Sequence, residues 1–315
     1  MFVKIAIIEP LGIDEKAVEK LKQDFLPENI ELVYYNSAPQ DDEEKIKRSE
    51  DADIVMLANM PLRKNVLEKC TKLKMLSVAF TGVDHVDMDY CKANNIMVCN
   101  CSGYANEAVC ELVFGMVVNL YRNIFAADEA VRTGKTKAGL SQFELCGKKF
   151  GIIGAGAIGL KVANVAKAFG CDVYAYSRTP KDIDGIKFVG LDELLSTCDV
   201  VSVHVPLTKQ TKDLINAENI TKMKSTALLI NTARGPVVNA KALADALKNN
   251  IIAGAGVDVF DNEPPIAMDN PLLNAPNVVL TPHIGFATKE AMEKRAVIAF
   301  TNINKYLMGK PQNVM

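Results

Sequence analysis

Between Lys148 and Arg178 the chain reads KKFGIIGAGAIGLKVANVAKAFGCDVYAYSR, an order of residues that leaves few folds open. Phe150–Ile153 is strand-competent, the glycine turn Gly154-Ala155-Gly156-Ala157-Ile158-Gly159 follows, and Val162, Val165, Ala166 and Phe169 then recur at helical spacing. A strand, a glycine turn and a helix in immediate succession is the context that gives a G-x-G-x-x-G match its meaning. Gly154 would permit a tight turn, Gly156 would admit a pyrophosphate close to the backbone, and Gly159 would seat the helix against the strand. The N–H groups and positive dipole end of that helix favour phosphate, so a dinucleotide is expected here. The plain alternative is a glycine-rich turn in an ordinary α/β sheet.

The end of the next strand bears on which dinucleotide. The acidic residue that bonds the ribose 2′-hydroxyl of NAD falls about twenty residues on. Ser177 occupies that place, with Arg178 and Thr179 after it, while Asp172 opens the strand at its far end. Two hydroxyls and a guanidinium can bond and neutralise a 2′-phosphate, which a carboxylate would repel. The expectation is NADP ahead of NAD; the alternative is Arg178 stacking on the adenine of NAD.

Around this unit the first hundred residues alternate strands (3–8, 31–35, 54–57, 76–80, 96–99) with helices (14–25, 41–49, 64–70, 87–93), which predicts a parallel sheet covered on both faces. A helix over 104–123, apolar on more than one face, should be buried or serve a subunit interface. Further strands are expected at 187–189, 200–205, 226–231, 252–257 and 278–281, and a helix over 289–308 that returns to the first domain. We place domain boundaries at 1–101, 102–285 and 286–315.

A chain of 315 residues, 49% apolar and 23% charged, is long enough for two cores. The formal net charge of −2 gives no case for nucleic acid or an anionic membrane as partner. The eight cysteines form no C-x-x-C pair and no zinc-like spacing, so they read as small buried hydrophobes in a reducing cytoplasm, with no metal. No apolar run approaches a membrane span, and the first residues read as a strand rather than a signal peptide.

Ligands of open α/β sheets gather at the carboxyl ends of strands, so the residues just after strands are the candidates. Arg234 closes Ile230–Gly235, Glu263 closes Val257–Pro264 and His283 closes Leu280–Gly285. A guanidinium can grip a carboxylate with two bonds and polarise a neighbouring carbonyl. A histidine oriented by a carboxylate can carry the proton that accompanies hydride transfer. There are three histidines, and His85 and His204 stay open as rivals to His283 for the proton carrier. The turn at Thr81-Gly82-Val83-Asp84 could face a ligand with its backbone N–H groups, or be a plain βα turn.

Taken together TGVDHVD at 81–87, GYANEAVCEL from 103, GAGAIG from 154, HVPLT from 204, NTARGPVV from 231, GVDVFDNEPP from 256 and TPHIGFAT from 281 resemble the D-isomer-specific 2-hydroxyacid dehydrogenases over essentially the whole chain. The resemblance implies two doubly wound α/β domains: a Rossmann nucleotide-binding domain and a flavodoxin-like substrate domain built from both chain ends. It implies that Arg234 binds the 2-keto acid, that His283 paired with Glu263 is the acid/base, and that Gly82 and Val83, beside Thr81, meet the substrate carboxylate. Expected cofactor contacts are Gly154, Gly156, Ala157, Ile158 and Gly159 in the turn, Ser177, Arg178 and Thr179, then His204, Pro206, Thr232 and Ala233. Asp258 is implied to hold the nicotinamide end. The family is usually homodimeric through its nucleotide domain, so a homodimer is expected.

Glyoxylate or hydroxypyruvate is the expected substrate, because the loop Ala58-Asn59-Met60-Pro61 lacks the basic residue that relatives acting on phosphoglycerate carry there. D-3-phosphoglycerate dehydrogenase is the alternative, followed by a reductase for bulkier branched keto acids. A dinucleotide-sensing scaffold with little turnover and a Rossmann methyltransferase rank below these. Ser177 in place of the usual aspartate and His85 in place of a frequent asparagine depart from the family pattern.

Overall fold

The computed structural model describes residues 3–263 and 265–315, and the chain divides into two compact units, residues 1–105 with 287–315 and residues 106–286. Pro264, expected to stiffen the loop after Glu263, lies outside the described residues.

The first unit holds strands β1 (Val3–Ile7), β2 (Ile30–Tyr34), β3 (Ile54–Leu57), β4 (Met75–Val78) and β5 (Met97–Cys99). Helices α1 (Glu15–Phe25), α2 (Asp42–Ser49), α3 (Lys64–Leu67) and α4 (Met88–Ala93) alternate with them. The strands are all parallel, in the order β2-β1-β3-β4-β5. Every residue of β3 and β4 is buried, as central parallel strands covered on both faces require. Aspartates 14, 41 and 87 each accept a backbone N–H at a helix start and fix where α1, α2 and α4 begin.

The second unit opens with α5 (Asn106–Arg122) and α6 (Ile124–Arg132), separated by Asn123 in a left-handed conformation. Its strands are β6 (Lys149–Ile153), β7 (Asp172–Tyr176), β8 (Ile186–Phe188), β9 (Val200–Val203), β10 (Leu228–Asn231), β11 (Gly254–Val257) and β12 (Val278–Leu280). Helices α7 (Ala157–Ala168), α8 (Leu191–Thr197), α9 (Ala217–Thr221) and α10 (Ala240–Lys248) connect them. All neighbours are parallel, in the order β12-β11-β10-β9-β6-β7-β8. Both sheets therefore have the doubly wound form expected from the alternating pattern. One apolar cluster centres on Leu194, Leu229, Leu243 and Leu247, and a second, on α5 and α7, centres on Val113, Phe150 and Val162.

The last helix, α11 (Lys289–Leu307), closes the first unit. Ser77 donates to its Ala299 carbonyl, Asn302 donates to Asn100, and Arg295 donates to Leu11.

Two details depart from the sequence expectations. α6 was not anticipated, and it exposes Ile124, Phe125 and Val131 while burying no residue. Seven of the cysteines are buried, but Cys146 is exposed. Among the described residues no single helix is long and apolar enough to cross a membrane.

Candidate active site

The glycine turn lies where the strand order of the second sheet reverses, between β6 and β9. Gly154 takes φ +103°, and a Cβ there would lie 2.5 Å from the His204 carbonyl oxygen at the end of β9. A Cβ on Gly159 would lie 2.0 Å from the Gly154 carbonyl, so the first turn of α7 sits directly on the strand end. Gly156, by contrast, opens onto space with nothing within 4 Å of a Cβ. It caps α7 without any side-chain acceptor, which leaves the first N–H groups of the helix, at Ala157, Ile158 and Gly159, uncapped by a side chain beside that space. An open cradle lined by backbone donors fits a pyrophosphate.

β7 ends at Tyr176, after which Ser177 is half-buried and Arg178 and Thr179 are exposed. Asp172, the first residue of β7, lies at the opposite end of the strand. Pro180 follows, and the Lys181 ammonium donates to the Ala155 carbonyl inside the glycine turn at 3.0 Å. Sequence reasoning missed Lys181. The proline one position before it was the available signal that the chain turns back towards the nucleotide turn.

His204 bonds the Ser202 hydroxyl through Nε2 at 2.8 Å, and burial pushes its pKa down to about 3. The ring is neutral at physiological pH and suits a hydrogen bond rather than proton delivery. His85 belongs to the first unit, where its ring meets Phe80 edge-on at 6.2 Å. Thr81, Gly82 and Val83 also lie there, in the loop after β4, which Asn100 anchors by donating to the Thr81 carbonyl at 2.8 Å.

The register of the second sheet sets Asn231, Val257 and Leu280 side by side, so three loops leave adjacent strands at one level. In the first, Asn231 organises its own continuation: its side chain accepts from the Ala233 N–H and donates to the Arg234 carbonyl. Arg234 Nη1 donates to the Ala233 carbonyl at 2.8 Å. The Thr232 hydroxyl is buried with no hydrogen-bond partner among the described residues, a second feature that fits a ligand against this loop. Gly235 then meets the second loop at close quarters, since a Cβ on it would lie 2.1 Å from the Phe260 carbonyl carbon.

Glu263, on the second loop, divides its carboxylate. Oε2 accepts the Phe260 N–H at 3.1 Å, and Oε1 contacts Nδ1 of His283 at 2.6 Å. Both side chains are about one-fifth exposed, so the pair is sheltered but reachable.

His283, on the third loop, holds φ +54°, a strained conformation for a residue with a side chain. Its N–H donates to the Asp258 carbonyl at 2.8 Å and to the Thr281 carbonyl at 3.0 Å. Asp258 is 1% exposed and gathers the loop around its carboxylate, accepting from the Thr281 hydroxyl at 2.5 Å and from the N–H groups of Ile284 and Gly285, each at 2.8 Å. Burial pushes its pKa up, while these three bonds and the nearby His283 work the other way.

The structure thus assigns Asp258 a job that sequence did not: holding His283 in its strained pose. Asp258→Ala should strand three buried donors and cost about 3 kcal/mol. The expected result is a lowered Tm together with a lowered kcat; a variant that loses activity at unchanged Tm would contradict this reading.

The geometry can be set beside known proteins. The family model for the D-isomer specific 2-hydroxyacid dehydrogenase NAD binding domain matches residues 114–285. The chain is 35% identical over 318 residues to a hydroxypyruvate reductase of Blautia hydrogenotrophica, covering 98% of this chain and 96% of that protein. It is 40% identical over 283 residues to a glycerate dehydrogenase of Methylorubrum extorquens, covering 87% and 88%. Among solved structures, an acyclic imino acid reductase in complex with NADPH and D-Arg superimposes with a TM-score of 0.91 at 33% identity, covering 99% of this chain and all of that one.

Proposed function

Because the chain belongs to the D-isomer-specific 2-hydroxyacid dehydrogenase family, we propose that it reduces a small 2-keto acid, glyoxylate or hydroxypyruvate, to the D-2-hydroxy acid. It is an oxidoreductase that works with a nicotinamide cofactor. The observation that carries the proposal is the 2.6 Å pair of His283 and Glu263, on the loops after β12 and β11, the latter strand lying beside β10, which precedes Arg234.

The bound nicotinamide supplies a hydride; the rest falls to the chain's own residues. Arg234 binds the substrate carboxylate and polarises the 2-keto group beside it. With Nδ1 of His283 held by Glu263, proton delivery to the carbonyl oxygen falls to Nε2. Glu263 stabilises the charged ring before delivery and keeps it oriented. In the first unit, the N–H groups of Gly82 and Val83, beside Thr81, are assigned to the substrate carboxylate. Gly154, Gly156, Ala157, Ile158 and Gly159 are assigned to the dinucleotide phosphates, with His204, Pro206, Thr232, Ala233 and Asp258 along the rest of it.

NADP is the preferred cofactor in this reading. Ser177, Arg178 and Thr179 offer hydroxyl and guanidinium groups, and Lys181 brings a second cation to the same turn. We place the enzyme in the cytoplasm, where its thiols stay reduced. We assign it as a homodimer through the second unit, whose Ile124, Phe125, Val131 and Phe143 are exposed apolar groups suited to burial by a second copy.

The test is loss of nicotinamide absorbance with NADPH and NADH against glyoxylate, hydroxypyruvate, phosphohydroxypyruvate and a branched keto acid at equal concentrations. NADPH with hydroxypyruvate or glyoxylate should give the highest kcat/KM, by about tenfold or more over the phosphorylated acid. NADH with phosphohydroxypyruvate as the best pair would instead make the chain a D-3-phosphoglycerate dehydrogenase. Cofactor binding without turnover of any keto acid would point to a dinucleotide sensor.

A further inference from the structure

The first unit has a switch point of its own. Its strand order, β2-β1-β3-β4-β5, reverses between β1 and β3, and the crevice outside the carboxyl ends of those two strands is where sheets of this order take a ligand. In this chain the crevice is filled from within. Glu9, two residues past β1 and 7% exposed, extends its carboxylate to the end of β3, where Oε1 accepts the N–H of Ala58 at 2.7 Å and of Met60 at 3.2 Å.

Two backbone N–H groups converging on one oxygen form the kind of concavity that binds anions. Cations lie nearby, two of them with acidic partners of their own, Arg48 with Glu44 and Lys45 with Asp42. Arg48 donates to the Ile8 carbonyl at 2.9 Å and Arg295 to the Leu11 carbonyl at 2.6 Å, both from buried side chains on either side of Glu9 in sequence. Lys45 adds a further positive charge that acts on Glu9. Without the carboxylate, this end of the sheet would present the N–H donors of Ala58 and Met60 to any anion that arrived. Burial pushes the Glu9 pKa up, the cost of keeping a carboxylate there.

We propose that Glu9 is a specificity-determining residue, whose carboxylate occupies the anion-binding crevice of the first unit and turns away 2-keto acids that carry a phosphate. The inference rests on the reading of the chain as a 2-keto acid reductase and explains which keto acids it refuses. The neutral loop Ala58-Asn59-Met60-Pro61 lacks a cation for a phosphate; Glu9 goes further, using two of its N–H groups and setting a negative charge beneath it.

The test compares wild type, Glu9→Gln and Glu9→Ala. Each is titrated with inorganic phosphate against sodium chloride of equal ionic strength, with NADPH saturating so that phosphate is kept off the nucleotide turn, and the shift in Tm is read. Each is then assayed with hydroxypyruvate and phosphohydroxypyruvate. Wild type should show no phosphate-specific shift, whereas the variants should be stabilised by phosphate. Their ratio of kcat/KM for the phosphorylated over the unphosphorylated acid should rise by about tenfold or more.

Folded variants with neither response would overturn the proposal. So would a wild type that phosphate itself stabilises, or that prefers phosphohydroxypyruvate, and those two measurements need no variant to fold. A wild type inert to every keto acid would refute the reductase reading, while the phosphate titration would still decide the role of Glu9.

Discussion

Replacing His283 by alanine should lower kcat by about 10²–10⁴-fold while leaving cofactor affinity within a small factor of wild type. The expected size follows from what the ring does. The hydroxy acid forms only if the carbonyl oxygen gains a proton as carbon gains hydride, and water must then replace a donor that Glu263 holds in place at 2.6 Å. The side chain of His283 is about one-fifth exposed, so its removal opens a small space without collapsing a core. Tm should therefore change little, which separates lost chemistry from lost structure. Steady-state kinetics with hydroxypyruvate, beside a fluorescence titration of NADPH, reads both quantities. An alanine variant with kcat near wild type would move the proton-carrying role to another group, and His85 would be examined next.

The second large effect is expected at a residue with no side chain. Gly235→Ala would place a Cβ 2.1 Å from the Phe260 carbonyl carbon, 2.4 Å from its oxygen and 2.6 Å from the Asp261 nitrogen. All three atoms are backbone, so no rotamer change can relieve the overlap, and two loops must separate. The cost should reach at least about 3 kcal/mol, near the upper end for overpacking. In a domain of this size that corresponds to a fall in Tm of about 6–12 °C. The kinetic consequence is distinctive, because one of the separated loops carries Arg234 and the other Glu263. KM for the keto acid should rise as the guanidinium shifts, and kcat should fall as the His283 partner moves. Thermal melting and a substrate titration on the same preparation measure this; unchanged Tm and KM would mean that the loops part at little cost.

What could be read from the chain, and what could not, divides by range. The strands were legible because buried parallel strands write themselves as short apolar runs, such as Ile54–Leu57, and the nucleotide turn because its three glycines have fixed spacing. Arg234, Glu263 and His283 were legible as candidates because each closes a loop after such a run. Their neighbours were not. Asp258 was marked only by the family resemblance, as a cofactor contact, and its hold on the His283 loop emerges once Thr281, Ile284 and Gly285 are seen to converge on it. Lys181 and Glu9 act through carbonyl and amide groups 26 and about 50 residues away, and backbone partners leave no trace in side-chain identity. α6 escaped for a different reason. IFAADEAVR is only nine residues long, follows directly on the longer α5 pattern, and its start is set by the left-handed Asn123, a backbone turn that side-chain spacing does not announce.

The completion of the first unit by α11 bears on how the molecule comes into being. Residues 106–286 are contiguous and carry their own sheet and cores, so this unit can form as soon as it has left the ribosome. The five-stranded sheet made long before it has to wait, since Ser77, Leu11 and Asn100 find their partners only when Ala299, Arg295 and Asn302 have been synthesised. During that interval one flank of β4 is uncovered apolar surface, the period in which a nascent chain most needs a chaperone.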